Sequence, residues 1–191
     1  MSLKFNKFKI VLLSLLFLAS LFSLLWIRKS TRPETSFPLP SSSSSQGEKY
    51  QGLIPGVSTF NEVVKFLGDP ARTTTDGQTQ TVEYKSSLPT QNNLLVFQNQ
   101  KLALVKEIVT EKDQKNISDF VSKFGETKDI LYGPGSSSGF NLYVYSEHGL
   151  AYLGNLEGQA VFEIWYFPPT DFSTFKQTYA SGYRPTFSPV Q

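Results

Sequence analysis

Few side chains in the sequence could support catalysis, and their spacing does not match a catalytic constellation. The one histidine, His148, follows Ser146 and Glu147, so this tripeptide contains a nucleophile, a carboxylate and a base. A serine hydrolase would also need a nucleophile elbow of the Gly-x-Ser-x-Gly type, which the chain lacks. His148 instead precedes Gly149 at a predicted hairpin turn, where we interpret it as a hydrogen-bonding turn residue. A hydrolase is therefore the weaker functional alternative.

Two glutamates could also form a reactive pair. Glu107 and Glu163 occupy matching positions in two similar segments, 106–108 and 162–164. Paired carboxylates can share acid–base work when they face one reacting group. An internal duplication produces matched positions by itself, so we interpret both residues as structural.

Cofactor and metal sites have no support in the sequence. The glycine-rich segment 133–139 lacks the Gly-Lys-Ser/Thr ending of a phosphate-binding loop, so we predict a flexible connection there. The chain has no cysteine and one histidine, which excludes disulfides, thiolate metal sites and multi-histidine sites. We therefore predict no catalytic residues, no cofactor, no metal and no enzymatic activity.

Residues 10–27 form a charge-free apolar run of 18 residues, IVLLSLLFLASLFSLLWI. As a helix this run would be about 27 Å long, near the hydrocarbon thickness of a bilayer. It is longer than the apolar core of a cleaved signal peptide and ends in Trp26 and Ile27, where a peptidase needs small residues. We predict an uncleaved single-pass anchor with a cytoplasmic N-terminal tail and an extracytoplasmic C-terminal domain.

The charge balance of the rest of the chain argues against nucleic-acid binding. The formal net charge is +2, but six of the 18 basic residues flank the apolar run. Residues 33–191 contain 12 basic and 16 acidic residues. A nucleic-acid-binding surface needs a basic excess, which this part of the chain lacks.

The composition predicts five segments along the chain. A membrane anchor with its tail covers 1–29, and a Ser/Pro-rich linker covers 30–51, since that stretch has too few apolar residues to form a core. Two similar units at 52–112 and 113–180 would form the folded part, and 181–191 would be a flexible tail.

The first unit has the pattern of a capped helix followed by strands. Ser58 or Thr59 can cap the helix, and Glu62 sits where a capping-box acid belongs. Four apolar residues then recur at i, i+3, i+4 and i+7, as on one face of a helix: Phe60, Val63, Val64 and Leu67. Gly68 ends this helix, and strands are predicted at 79–85, 93–98 and 101–110.

The second unit repeats this pattern. Its helical face consists of Ile117, Phe120, Val121 and Phe124, and Gly125 takes the place of Gly68. Strands are predicted at 140–146, 149–153 and 160–167, with a short one at 131–132. Residues 96–105 align without gaps with 144–153, an offset of 48. We therefore predict an α+β fold with an N-terminal transmembrane helix, a stalk and two tandem helix-plus-antiparallel-sheet units.

The first unit contains GVST at 56–59, a predicted short helix, LGDP at 67–70, a tyrosine-bearing strand and LVFQNQKL at 95–102. This pattern resembles that of the SmpA/OmlA (BamE-like) family. The tandem arrangement is similar to that of the β-lactamase inhibitor protein. The resemblance covers about 52–170 and implies a non-enzymatic binding or scaffold module. The lipobox cysteine of the lipoprotein members is absent, and the second unit lacks the Gly-x-Ser/Thr opening.

Aromatic residues in the strands of the second unit are the best candidates for a binding site. In 140–145 and 161–167 tyrosine and tryptophan alternate with aliphatic residues, so they share a side of the predicted sheet. If the helices cover the aliphatic side, Tyr143, Tyr145, Trp165 and Glu163 would form an open aromatic contact face. The alternative is that these aromatics pack between the units or under loops.

Together these features predict a membrane-anchored, extracytoplasmic protein-binding or scaffold module of the cell envelope. The expected partner is an envelope protein or a cell-wall component, with membrane contact through residues 10–27. The alternatives are an inhibitor or regulator of an envelope enzyme, a structural envelope protein and, less favoured, a hydrolase.

The predicted anchor can be tested by fractionation. We expect the full-length chain to stay in the membrane fraction after carbonate washing, because residues 10–27 are apolar enough to span the bilayer. A soluble form that begins near Ser20 or Ser30 would contradict this and would indicate a cleaved signal peptide.

Overall fold

A computed structural model describes residues 46–113 and 115–187. Three α-helices are present in this part: α1 (Phe60–Leu67), α2 (Ile117–Phe124) and α3 (Phe172–Thr178). The strands are β1 (Arg72–Asp76), β2 (Thr79–Lys85), β3 (Asn92–Gln98), β4 (Lys101–Ile108), β5 (Ile130–Tyr132), β6 (Phe140–Tyr145), β7 (Leu150–Asn155) and β8 (Ala160–Tyr166).

All eight strands belong to one antiparallel sheet, in the order β1-β2-β3-β4-β8-β7-β6-β5. The two four-stranded halves join at β4 and β8, where Val105 pairs with Tyr166 and Ile108 pairs with Glu163. The predicted fold class is therefore wrong. The sequence predicted two tandem units, each with its own sheet, whereas backbone pairing between β4 and β8 makes one continuous sheet with three helices.

The predicted transmembrane helix at 10–27 lies outside the described residues. Among the helices of 46–113 and 115–187, none is long and apolar enough to cross a membrane.

Helix α1 has the boundaries that its sequence dictates. The backbone N–H of Thr59 donates to Glu62 Oε2 at 2.8 Å, and Thr59 Oγ1 accepts from the Glu62 backbone N–H at 3.4 Å. These reciprocal bonds form the predicted capping box. The helix ends at Gly68, whose φ of 82° is a conformation that favours glycine.

Helix α2 is capped at its N-terminus and ended by a glycine in the same way, with different capping residues. The Asn116 backbone N–H donates to Asp119 Oδ2 at 2.9 Å, and Gly125 ends the helix with a φ of 79°. A tyrosine from the sheet then binds each helix end. Tyr84 Oη donates to the Gly68 carbonyl at 3.0 Å, and Tyr145 Oη donates to the Gly125 carbonyl at 2.9 Å. These bonds fix both helices against the sheet.

The helices cover the sheet unequally. Helices α1 and α2 pack on one face, the α1/α2 face, where Val63 and Phe120 join two apolar clusters that share Tyr166. Helix α3 packs on the opposite face, the α3 face, where Phe175 joins Trp165 in a third cluster. The chain after α3 also contributes, because Tyr183 packs on that cluster.

Two elements were not predicted, and each has a physical reason. Strand β1 has the sequence RTTTD, and all five residues are exposed, so no apolar alternation marks it. Helix α3 is only seven residues long, so the helical spacing of Phe172, Phe175 and Tyr179, which pack on one cluster, is too short a pattern to identify it.

Part of the predicted flexible tail at 181–191 is held by backbone hydrogen bonds. The N–H of Arg184 donates to the Tyr132 carbonyl at 2.9 Å, and the N–H of Tyr132 donates to the Arg184 carbonyl at 2.8 Å. This bridge covers the outer edge of β5 at one position.

The packing of α2 predicts a large stability effect at Phe120. This side chain is 8% exposed, and its ring centroid lies 4.7 Å from that of Tyr152. We expect Phe120→Ala to lower the free energy of unfolding by about 3–5 kcal/mol, because it leaves a cavity between helix and sheet. The measurement is denaturant unfolding of the full-length chain.

Phe66 on α1 provides a matched control. It is 61% exposed, so Phe66→Ala should change stability by about 0.5 kcal/mol or less. A loss below about 1 kcal/mol for Phe120→Ala, or equal losses for the two variants, would contradict this packing.

Candidate functional site

In the described chain, the half of the α3 face formed by β1, β2 and β3 carries no covering helix. In β3, Leu95 and Phe97 are buried on the α1/α2 face, whereas Leu94 and Val96 on the α3 face are half-buried. Strand β2 shows the same alternation. We call this surface the open half-face; its side chains are Arg72, Thr74, Thr81, Glu83, Leu94 and Val96.

One row of side chains crosses the open half-face and continues to the covered half. Arg72 pairs with Glu83, Glu83 with Leu94, Leu94 with Lys106, and Lys106 with Trp165. Directly opposite residues of antiparallel strands share a face, so these five side chains all lie on the α3 face. The row begins with a pair of charges, since an Arg72 guanidinium nitrogen lies 3.7 Å from Glu83 Oε1.

The neighbouring row has hydroxyl and aliphatic side chains. It runs from Thr74 through Thr81 and Val96 to Leu104, which is 6% exposed. Val96 packs against the edge of the cluster beneath α3. The open half-face thus combines two hydroxyls, a short aliphatic strip and one pair of opposite charges.

Lys106, Trp165 and Glu163 form the border between the open and covered halves. Lys106 Nζ lies 3.7 Å from the Trp165 ring centroid, within the range of a cation–π interaction. Trp165 Nε1–H donates to Glu163 Oε2 at 2.7 Å. Burial lowers the pKa of Lys106, and the negative charge of Glu163 opposes that shift. These contacts hold the border side chains in one arrangement.

The predicted aromatic contact face does not exist in this form. Tyr143, Tyr145 and Trp165 are 4%, 7% and 1% exposed, so the prediction that they lie in solvent is wrong. The two tyrosines lie under α2, and Trp165 lies on the opposite face under α3. Helices cover both faces of β6 and β8. Glu163 alone of the four predicted contact residues is half-exposed.

Both tyrosines serve the packing of α2. Tyr145 binds the helix end at Gly125, as described above. Tyr143 stacks on Tyr152 with ring centroids 4.9 Å apart and an interplanar angle of 21°. Phe120 of α2 packs on Tyr152 from the helix side. These aromatics therefore stabilise the covered half of the sheet.

The two matched glutamates do not form a pair. Glu107 pairs with Ile164 and faces α1 and α2, whereas Glu163 pairs with Ile108 and faces the side of α3. Glu107 Oε2 accepts from Tyr166 Oη at 2.8 Å. Burial raises the pKa of the Glu107 carboxyl, and the hydrogen bond from Tyr166 partly offsets that rise. Burial and the charge of Glu107 also raise the pKa of Tyr50 to about 12.

The region around His148 does not assemble a hydrolase centre within 46–113 and 115–187. Ser146 is 6% exposed, and its carbonyl accepts from the backbone N–H of Thr170 at 3.0 Å. The His148 ring is exposed and packs on Phe124 with centroids 4.8 Å apart. Over the same residues, no group of three or more potential ligands could hold a metal ion.

The glycine-rich segment forms a hydrogen-bonded turn. Ser136 Oγ accepts from the Gly133 backbone N–H at 2.8 Å, and Gly139 closes the turn with a φ of 79°. Gly133 also lies close to Tyr183, where an added Cβ would be 2.5 Å from the ring. The glycines therefore serve local packing.

The open half-face was not predicted from the sequence, although part of the pattern that indicates it was present. In β2 the polar Thr81 and Glu83 alternate with the buried Val82 and Tyr84, which marks one solvent-facing side. The missing information was the position of α3. Without it, the second unit was the more conspicuous candidate because it has more aromatic residues.

Comparison with known proteins adds little about the site. No family model matches the chain, and no curated protein matches it. A crystal structure at 2.13 Å of YjgB, a DUF4309 family protein from Bacillus subtilis subsp. subtilis strain 168, is similar, with a TM-score of 0.46 and 16% identity. The match covers 65% of this chain and 90% of that protein. The resemblance to the SmpA/OmlA family stays a prediction.

The environment of Glu107 predicts a dependence of stability on pH. Its pKa in the folded chain is raised above the usual 4.5, so its contribution to stability is full below that pH. The contribution is lost as pH rises through the folded-state pKa. Glu107→Gln keeps an oxygen for Tyr166 Oη and cannot ionise. We expect it to raise the free energy of unfolding at neutral pH by on the order of 1 kcal/mol or less, since the site is half-buried.

Unfolding free energies of wild type and Glu107→Gln measured across pH test this directly. The two curves should converge below the usual carboxyl pKa of 4.5 and separate above it. A variant that is less stable than wild type at neutral pH, or a constant difference at every pH, would contradict a raised pKa at Glu107.

Proposed function

We propose that this chain is a membrane-anchored, extracytoplasmic protein-binding module of the cell envelope, and that it binds its partner through the open half-face. Residues 10–27 would attach it to the membrane, as their composition predicts. The observation that carries the proposal is the unequal covering of the α3 face. Helix α3 shields the β5–β8 half, whereas the β1–β3 half has side chains ready for contact and no covering helix in the described chain.

The chemistry of the open half-face favours a protein as the partner. Leu94 and Val96 form a small aliphatic centre, with the hydroxyls of Thr74 and Thr81 beside them. In the other row, charges flank Leu94 on both sides, with Glu83 on one side and Lys106 on the other. Nucleic acid would require a basic surface, whereas the open half-face has one arginine and one glutamate and so no basic excess.

Rigid support from below makes this surface suitable for recognition. Val82, Leu95 and Phe97, on the reverse side of β2 and β3, are 0% exposed and pack under α1. At the border, Lys106 is held against Trp165. A partner would therefore meet a preorganised sheet, which reduces the entropy lost on binding.

Site-specific photo-crosslinking in the native cells tests the proposal. A photoreactive amino acid at Thr81 should give a discrete adduct with one protein other than a second copy of this chain. Val96→Arg should reduce this adduct by about tenfold or more, equivalent to about 1.4 kcal/mol of binding, because it places a charge in the aliphatic centre. If Val96→Arg lowers the melting temperature, Leu94→Arg, in the same aliphatic centre, replaces it.

Val57→Arg is the matched control. Val57 is 56% exposed and lies before α1, away from the open half-face, so this variant should keep the adduct. Equal loss with Val57→Arg, or an adduct at Thr81 that Val96→Arg leaves unchanged in a folded protein, would contradict binding through the open half-face.

A further inference from the structure

Strand β1 is an edge strand whose outer side pairs with no other element of the described chain. It is the first strand in the sheet order, and all five of its residues are exposed. The opposite edge differs, because Arg184 pairs with Tyr132 there. An unpaired edge presents a row of backbone N–H and C=O groups that can accept a further strand.

The geometry of β1 suits such pairing. Its five residues pair with β2 in an unbroken register from Arg72–Glu83 to Asp76–Thr79. Bulges and prolines are two common devices that prevent edge pairing, and strand β1 contains neither. The features that remain to limit pairing of this edge with other strands are its short length and its two charges.

Those charges are arranged symmetrically about Thr74. The strand reads Arg72-Thr73-Thr74-Thr75-Asp76. In an antiparallel pair of two copies centred on Thr74, each Arg72 lies directly opposite Asp76 of the other copy. Opposite residues of antiparallel strands share a face, so the two charges would meet twice, once on each side of the axis.

Both charges are available for this contact. The ion pair of Arg72 with Glu83 is long, at 3.7 Å, and the Arg72 side chain is 69% exposed. Asp76 is exposed and forms no ion pair in the described part of the chain. Opposite-charge pairs across strands favour one register over others, as would be required to select a single pairing at this edge.

We propose that the chain forms a two-fold symmetric dimer in which the β1 strands of two copies pair antiparallel about Thr74. The contact is isologous, because the same strand serves both copies, and it closes at two subunits. The two sheets become one, and the open half-faces of the two copies lie side by side on the same face. This dimer does not depend on the identity of any partner.

Cysteine crosslinking of the full-length chain tests the register, because the natural chain has no cysteine. Thr74→Cys places the two thiols opposite each other on the axis, within the reach of a disulfide. We expect mild oxidation of this variant, in detergent solution, to give a covalent dimer. Ser122→Cys, on the exposed side of α2, is the control and should give several-fold less dimer.

Charge variants test the proposed complementarity. Asp76→Arg would set arginines opposite each other and should reduce dimerisation measured by sedimentation. Combining Asp76→Arg with Arg72→Asp exchanges the two charges and should restore it, since Asp and Arg again lie opposite each other. Circular dichroism confirms that each variant is folded.

Three results would overturn the dimer. One is a monomeric natural chain at every concentration in sedimentation. Another is a yield of covalent dimer from Thr74→Cys no greater than that from Ser122→Cys. The third is a folded charge-exchange variant that stays as weakly associated as Asp76→Arg alone. The crosslinking at Thr81 described above would be unaffected by these outcomes, so the two proposals fail independently.

Discussion

The backbone pairing of β4 with β8 is the constraint on which the rest of the structure depends. These strands come from opposite halves of the described residues, and four residue pairs from Val105–Tyr166 to Ile108–Glu163 join them. This junction makes one sheet from two sets of four strands. Tyr166 then contributes to the clusters beneath both α1 and α2. The two helices therefore share a continuous apolar layer.

The same junction determines what lies on each side of the sheet. Because side chains alternate along β8, Tyr166 and Trp165 point to opposite faces. Tyr166 binds Glu107 beneath the helices, whereas Trp165 supports Lys106 beside α3. Helix α3 and Tyr183 cover this second face over the β5–β8 half. The open half-face is the part of this second face that α3 leaves uncovered in the described chain.

Local features of the fold were predictable from the sequence, whereas long-range ones were not. The capping residues Thr59 and Glu62 and the glycines after α1 and α2 act within a few residues, so their patterns fix helix boundaries. The merging of the halves depends on pairs about 60 residues apart, such as Val105 with Tyr166, which no periodicity encodes. The alternation within β6 and within β8 was right, but the register between the strands was not encoded, so Trp165 was grouped with Tyr143 and Tyr145 although it lies on the opposite face. The alternation also could not show that helices cover both faces.

Thiol labelling of full-length protein tests the central claim that the open half-face is accessible in the purified protein and covered by a partner in the cell. Leu94→Cys places a single thiol on this surface, and Ser173→Cys places one on the exposed side of α3. A maleimide should react readily with the Leu94→Cys protein after purification and slowly in the cells that produce it, while Ser173→Cys should react alike in both. Equal reaction of Leu94→Cys in both settings would contradict it.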